Sequence, residues 1–234
     1  MNGLDSQRMA NILIILKNHL KIKILDISDP FESLILTILS QNTNDINRDR
    51  AWKRLVEKFK SITPDTLASA DISDIQEAIK VAGLHNQKSK RIKEISTLIL
   101  NEYNGNMDLI LKIPLKQARK ILVNIKGVGY KTADILLLFY SNYLTLPLDT
   151  HIQRVSKRMG FASADDKYED IRIKLQAVIA NTLDDFIESH LFIIELGRKY
   201  CKAIKPQCDQ CPVSEFCPKI ILKKPKKKKS KKIR

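Results

Sequence analysis

The sequence, 234 residues long, is poor in the residues that break helices or staple small folds. Seven glycines and eight prolines exclude a collagen-like or wholly low-complexity chain. The four cysteines all lie between residues 201 and 217, so a disulfide scaffold is excluded. No window of about 18 uninterrupted apolar residues exists, and nothing in the pattern is fit to span a bilayer as a helix. The first twenty residues hold Asp5 and a helical spacing of Ile12, Leu13, Leu16 and Leu20 rather than a signal-peptide core with a small-residue cleavage site. A cytoplasmic protein is expected, in a reducing compartment where clustered cysteines favour metal ligation.

Acidic residues are absent from 218–234, where ten of the 41 lysines and arginines lie. The whole chain has a net charge of +15, yet the rest of it holds 31 basic against 26 acidic residues. So lopsided a surplus points to a polyanion as partner, nucleic acid before an acidic membrane. The segment 218–234, with its unbroken run Lys226-Lys227-Lys228-Lys229, cannot bury apolar surface and is expected to be disordered.

What is present in quantity is helical periodicity. Apolar residues recur near every 3.6 positions and no two-residue alternation persists, so an all-α fold is expected. Helices are predicted over 6–21, 30–40, 44–59, 64–69, 74–82, 87–103, 107–112, 115–125, 130–141, 150–159, 164–180 and 185–199. Asp29-Pro30-Phe31-Glu32 and Thr63-Pro64-Asp65 combine a cap, a first-turn proline and an early acid. Gly83, Gly105 and Gly160 each close a helical run.

Against this background, Ile125-Lys126-Gly127-Val128-Gly129 is a tight turn between two helices. The N–H groups that open the second helix, at the positive end of its dipole, suit a phosphate without regard to base sequence. The same glycines serve equally well a hairpin that only packs. Lys131 falls in the first turn of the second helix, where the dipole and burial both disfavour an ammonium, leaving a neutral amine as nucleophile. Asp149, eighteen residues on, reads as a helix cap or as a catalytic carboxylate. Cys201, Cys208, Cys211 and Cys217, with six, two and five residues between them, suit iron–sulfur or zinc equally on chemical grounds.

The segment Ile125 to Asp134 followed by Leu148-Asp149-Thr150-His151-Ile152-Gln153-Arg154-Val155 resembles the endonuclease III family of helix-hairpin-helix DNA glycosylases. The similarity extends through Asp29-Pro30-Phe31-Glu32, Ser40-Gln41-Asn42-Thr43-Asn44-Asp45 and Gly83-Leu84-His85-Asn86, and the cysteine spacing is that of the family's 4Fe-4S cluster. The resemblance implies two helical domains flanking a DNA-binding cleft: an N-terminal helix (1–23) packing with the cluster domain, a six-helix domain (24–136) with the hairpin 115–141 at its end, and C-terminal helices with the cluster loop (137–217). It implies Lys131 as nucleophile, Asp149 as catalytic carboxylate, the four cysteines as cluster ligands, and DNA contacts from Gly127, Val128, Gly129, Lys202 and Lys205. Leu84 matches one residue that enters the duplex. Asn42 stands where the family usually has the glutamine that fills the gap left by the flipped base, with Gln41 taking that role if the loop shifts, and Lys126 replaces a common proline.

The expected function is excision of damaged, oxidised pyrimidines from duplex DNA in base excision repair, by a monomeric bifunctional glycosylase and apurinic/apyrimidinic lyase acting through a lysine Schiff base and β-elimination. Its partner would be duplex DNA with damaged bases or abasic sites, placing it at the nucleoid in a prokaryote. The alternatives are a monofunctional mismatch glycosylase acting on uracil or thymine opposite guanine, and a non-catalytic iron–sulfur DNA-binding protein. His19, His85, His151 and His190 share no ligand spacing. Arg154 and Arg158 read as a solvated face, and Trp52, Phe139 and Tyr140 as core.

Overall fold

The computed structural model describes residues 3–22 and 27–220. Among the described residues there is no strand, and no helix is long and apolar enough to cross a membrane. The chain divides into two compact units, one made of 1–22, 148–181 and 188–234 and the other of 23–147 and 182–187.

The second unit is built around α2 (Pro30–Ser40), whose Phe31, Leu34, Ile35, Ile38 and Leu39 are buried at helical spacing. Asp29 caps it by accepting the Glu32 N–H at 2.9 Å, and Pro30 costs nothing at a position with no intrahelical partner. Around it stand α3 (Asp45–Phe59), capped by Asn44, α4 (Pro64–Ser69), capped by Thr63, and α5 (Ile72–Ile79), which tightens into a 3₁₀ turn at Lys80–Ala82. They are followed by α6 (His85–Tyr103), α7 (Asp108–Leu111), α8 (Leu115–Asn124) and α9 (Tyr130–Ser141). One continuous apolar core joins them, with Trp52 and Tyr140 packed at its margin.

The first unit holds α1 (Gly3–His19), α10 (Thr150–Arg158), α11 (Tyr168–Gln176) and most of α12 (Leu183–Lys199). α1 buries Met9, Ile12, Leu13 and Leu16, and its Arg8 donates to the carbonyls of Met159 (3.0 Å) and Phe216 (3.4 Å) with the guanidinium 4.1 Å from the Phe161 ring centre. α11 is shorter than the periodicity of 164–180 implies. Asp166 accepts the Ser163 N–H at 2.7 Å and the Lys174 ammonium at 2.6 Å, which closes 163–167 into a loop and starts the helix at Tyr168. These contacts hold the Asp166 carboxyl below its ordinary value, the Lys174 bond contributing most.

The expectation of disorder from residue 218 needs correction at its first three residues. Ile220 donates its N–H to the Arg158 carbonyl at 3.0 Å, and Pro218 and Ile220 pack beside Gly160, whose φ of +76° disfavours a side chain and where a Cβ would stand 3.3 Å from Pro218 Cγ. The rest of that segment, 221–234, lies outside the described residues.

Candidate active site and cysteine loop

The α8–α9 connection reverses in five residues, 125–129, closed by the Val128 N–H on the Ile125 carbonyl at 2.9 Å. Gly127 has φ +94°, and a Cβ there would stand 1.9 Å from Nη1 and 2.5 Å from Cδ of Arg91, which crosses the turn from α6. Val128 is buried between the helices, as a plug should be. Gly129 opens α9 with φ −91°, no side-chain cap and open space around its Cα. Gln41, the residue after α2, donates its amide to the Gly127 carbonyl at 3.5 Å, so the Gln41 loop and the hairpin meet.

Lys131 follows in the first turn of α9, half-buried. Its helix is anchored by a buried ion pair: Arg119 of α8 grips fully buried Asp134 with two bonds of 2.7 and 3.0 Å, and Thr145 adds a third at 3.0 Å. The Arg119 guanidinium also lies 4.8 Å from the Tyr130 ring centre. Desolvation offsets much of the attraction in such a pair, but losing either partner would leave an uncompensated charge beside the hairpin.

Asp149, in the first unit, is the N-cap of α10 and accepts the Ile152 N–H on Oδ1 at 2.8 Å. A cap holds the carboxylate in one rotamer and leaves Oδ2 as an acceptor for a substrate. Leu148, just before it, is buried and donates its N–H to the Tyr168 hydroxyl at 3.1 Å.

Asn42 (φ +52°) and Leu84 (φ +50°) both adopt the left-handed conformation, and Leu84 leaves 49% of its surface exposed. A leucine in that conformation costs roughly 1–2 kcal/mol, so the loop around it must hold it there.

The arginines of α10 are not a solvated face. Arg154 donates to the carbonyls of Cys201 (2.8 Å) and Gly197 (3.0 Å) and meets His151 Nδ1 at 3.1 Å, and burial pulls its guanidinium below its ordinary value. His151 is thereby a structural partner, pressed against Gly197, where an added Cβ would approach to 2.7 Å. Arg158 bonds the carbonyls of Cys201, Lys202 and Ala203 at 3.4, 2.6 and 3.0 Å and reaches the Cys201 sulfur at 3.5 Å. Two arginines thus hold the start of the cysteine loop, which continues through 3₁₀ turns at Cys208–Gln210 and Ser214–Phe216. Lys202 and Lys205 stand exposed on it.

All four cysteines, each half-buried, line one pocket of about 350 Å³ including its open mouth, with Val155, Met159, Leu196 and Val213 among the other walls. Burial pushes the Cys211 and Cys217 thiols up, and the neighbouring cysteines add to it, so thiolates here need a compensating positive centre. Among the described residues no three His, Cys, Asp or Glu side chains are grouped to hold a single ion. Cysteines spread around a cavity suit a four-iron cluster, which takes one thiolate at each corner, better than zinc at one tetrahedral point.

Comparison with known proteins agrees with this geometry. Residues 35–181 match the HhH-GPD superfamily of base excision DNA repair proteins, and residues 201–217 match the iron–sulfur binding domain of endonuclease III. The endonuclease III of Sulfolobus acidocaldarius is 38% identical over 187 residues, 80% of this chain and 81% of the relative. This chain belongs to the endonuclease III family. The Thermotoga maritima endonuclease III is 34% identical over 190 residues, covering 81% of this chain and 83% of its own. A trapped endonuclease III–DNA covalent intermediate superposes with a TM-score of 0.76 at 29% identity, covering 92% of this chain and 96% of that one. Membership makes the protein a DNA glycosylase of base excision repair that binds DNA and carries a 4Fe-4S cluster.

Reasoning from the sequence missed Lys88, which the structure buries at 4% exposure between α6 and its neighbours. The signal was available: Lys88 begins the apolar stripe continued by Ile92, Ile95 and Ile99. Asp134, on the buried face of α9, was overlooked in the same way.

Proposed function

We propose that this family member is a bifunctional glycosylase and apurinic/apyrimidinic lyase for oxidised pyrimidines in duplex DNA. The observation that carries this reading is Lys131, an amine nucleophile in the first turn of the helix opened by the Gly127-Val128-Gly129 turn. The trapped covalent intermediate of a 29% identical endonuclease III supports the same chemistry. A damaged nucleotide is flipped out, because its C1′ cannot be reached inside the stack. The backbone N–H groups at Gly129 and the start of α9 take a phosphate, and Asn42 and Leu84 enter the space vacated in the duplex. Neutral Lys131 attacks C1′; the N–C1′ bond forms as the glycosidic bond breaks, and the base leaves with its electron pair and takes up a proton. Ring opening at O4′ gives the Schiff base, loss of a C2′ proton follows, and the C3′–O3′ bond breaks to cut the strand. Asp149 stabilises the cationic sugar and relays protons.

Cys201, Cys208, Cys211 and Cys217 are the ligands we assign to the cluster, which when bound supplies the metal–thiolate cross-links that fix the loop and its Lys202 and Lys205 beside the DNA. Anaerobically purified protein should hold about four irons and four sulfides per chain; stoichiometric zinc would overturn the ligand assignment. We take the enzyme to act as a monomer in the compartment that holds the DNA. Borohydride trapping tests the reading as a whole. Duplexes with thymine glycol or an abasic site should cross-link, whereas uracil or thymine opposite guanine should react far more slowly. Base release from the mismatches without any trapping would instead establish a monofunctional mismatch glycosylase.

A further inference from the structure

The buried lysine of α6 has no carboxylate partner among the described residues. Its Nζ donates to two main-chain carbonyls, Leu39 at 2.8 Å and Ala82 at 3.0 Å, and its own N–H donates to the Leu84 carbonyl at 2.9 Å. Leu39 lies three residues before Asn42, near the end of α2, and Ala82 lies two residues before Leu84, at the end of the 3₁₀ turn. We propose that Lys88 is the positioning residue that sets the spacing of the two loops that enter the duplex, by bridging the carbonyls at their roots. The inference rests on reading Asn42 and Leu84 as the inserted residues.

Three features favour this over simple packing. An isoleucine at position 88 would continue the stripe of Ile92, Ile95 and Ile99 at no electrostatic cost, whereas a buried ammonium is costly and, here, pulled below its ordinary value by desolvation. The residue at this position is therefore chosen for its donors. The stem fills the apolar stripe while the head group spans two helix ends whose carbonyls have no intrahelical partner. Both residues beyond those carbonyls are held in left-handed conformations, which relax unless the surrounding structure fixes them. A side-chain brace with one bond to each of the two roots is the most direct means of holding them.

The test compares Lys88→Met, which keeps the stem and removes the donors, with Lys88→Gln, which keeps two N–H donors on a side chain one bond shorter. Each variant, with its cluster intact, is assayed for single-turnover excision of thymine glycol from a duplex, for fluorescence of 2-aminopurine opposite the lesion, and for borohydride trapping on a single-stranded abasic oligonucleotide. A single strand has no stack to hold open. Lys88→Met should lower duplex excision by about tenfold or more and abolish the 2-aminopurine signal, with single-strand trapping within about twofold of the parent. Lys88→Gln should recover part of both lost signals. A parallel fall on duplex and single strand in either variant would show a general structural role and overturn the proposal, as would parental duplex activity in Lys88→Met beside a defective Leu84→Ala. If Leu84→Ala and Asn42→Ala both keep parental excision and fluorescence, the reading of the loops fails first and takes the proposal with it.

Discussion

The helices α9 and α10 carry the two candidate catalytic groups at their N-termini, and the two termini are built in opposite ways. α10 is capped from within, Asp149 accepting the Ile152 N–H, so the aspartate is fixed and the terminus is satisfied. α9 opens on Gly129 without a side-chain cap and with space beside it. The same dipole that favours a carboxylate at one terminus opposes an ammonium at the other. An uncapped, glycine-led terminus leaves its N–H groups for an external anion; a capped one offers a fixed carboxylate instead. The proposed mechanism accordingly assigns phosphate binding and nucleophilic attack to α9, and charge stabilisation to α10.

Replacing the amine breaks this division most completely. Lys131→Gln should lose all Schiff-base trapping and strand cleavage while still binding damaged duplex, because Gly127 to Gly129 are untouched; gel-shift and trapping assays on one preparation check both halves. At α10 the cap and the charge can be separated. Asp149→Asn should lower base excision by about two orders of magnitude or more, roughly 3 kcal/mol of barrier, yet shift stability by only a few tenths of a kcal/mol because asparagine caps as well. Asp149→Ala should lose the same activity and about 1 kcal/mol of stability besides, measured by denaturant unfolding. Both variants should still trap a ready-made abasic site through Lys131.

How much of this was legible beforehand depended on whether the cause was local. α2, α4 and α9 begin and end where the sequence places them, because Asp29 with Pro30, Thr63 with Pro64, and Gly129 act within one turn of the helix they start. The Asp166 loop was not legible, since a helical pattern from 164 onward says nothing of a carboxylate that folds back on Lys174. Arg154 and Arg158 failed for the same reason at longer range: their partners are carbonyls more than forty residues away, and one-turn spacing fits a solvated face as well as a clamp. Lys88 was hidden by its residue type, as the lysine stem is apolar and only the head group is not. The roles of the site residues came from spacing and resemblance, and the cap at Asp149 was one of its two sequence readings, whereas the cavity shared by the cysteines required coordinates.

Smaller effects sharpen the account of α9. Gly127→Ala meets both a positive φ and the Arg91 side chain, so affinity for damaged and undamaged duplex alike should fall about tenfold as the turn distorts. Gly129→Ala meets no protein atom within 4 Å. Any loss of affinity in that folded variant measures crowding of the phosphate itself, and unchanged affinity would remove Gly129 from the phosphate site. Deleting 221–234, after the last residue packed beside Gly160, removes nine basic residues. The slope of log K against log salt should then become shallower by about 0.9 for every DNA phosphate that the truncated protein no longer neutralises, with specificity for damage unchanged.

The most direct test of the division between the two helices is to find where the DNA becomes attached. Borohydride-reduced cross-links to an abasic duplex, digested with protease and nuclease and mapped by mass spectrometry, should carry the sugar remnant on Lys131 alone. A remnant on another lysine or on the terminal amine, with Lys131 unmodified, would contradict the assignment of the nucleophile to α9.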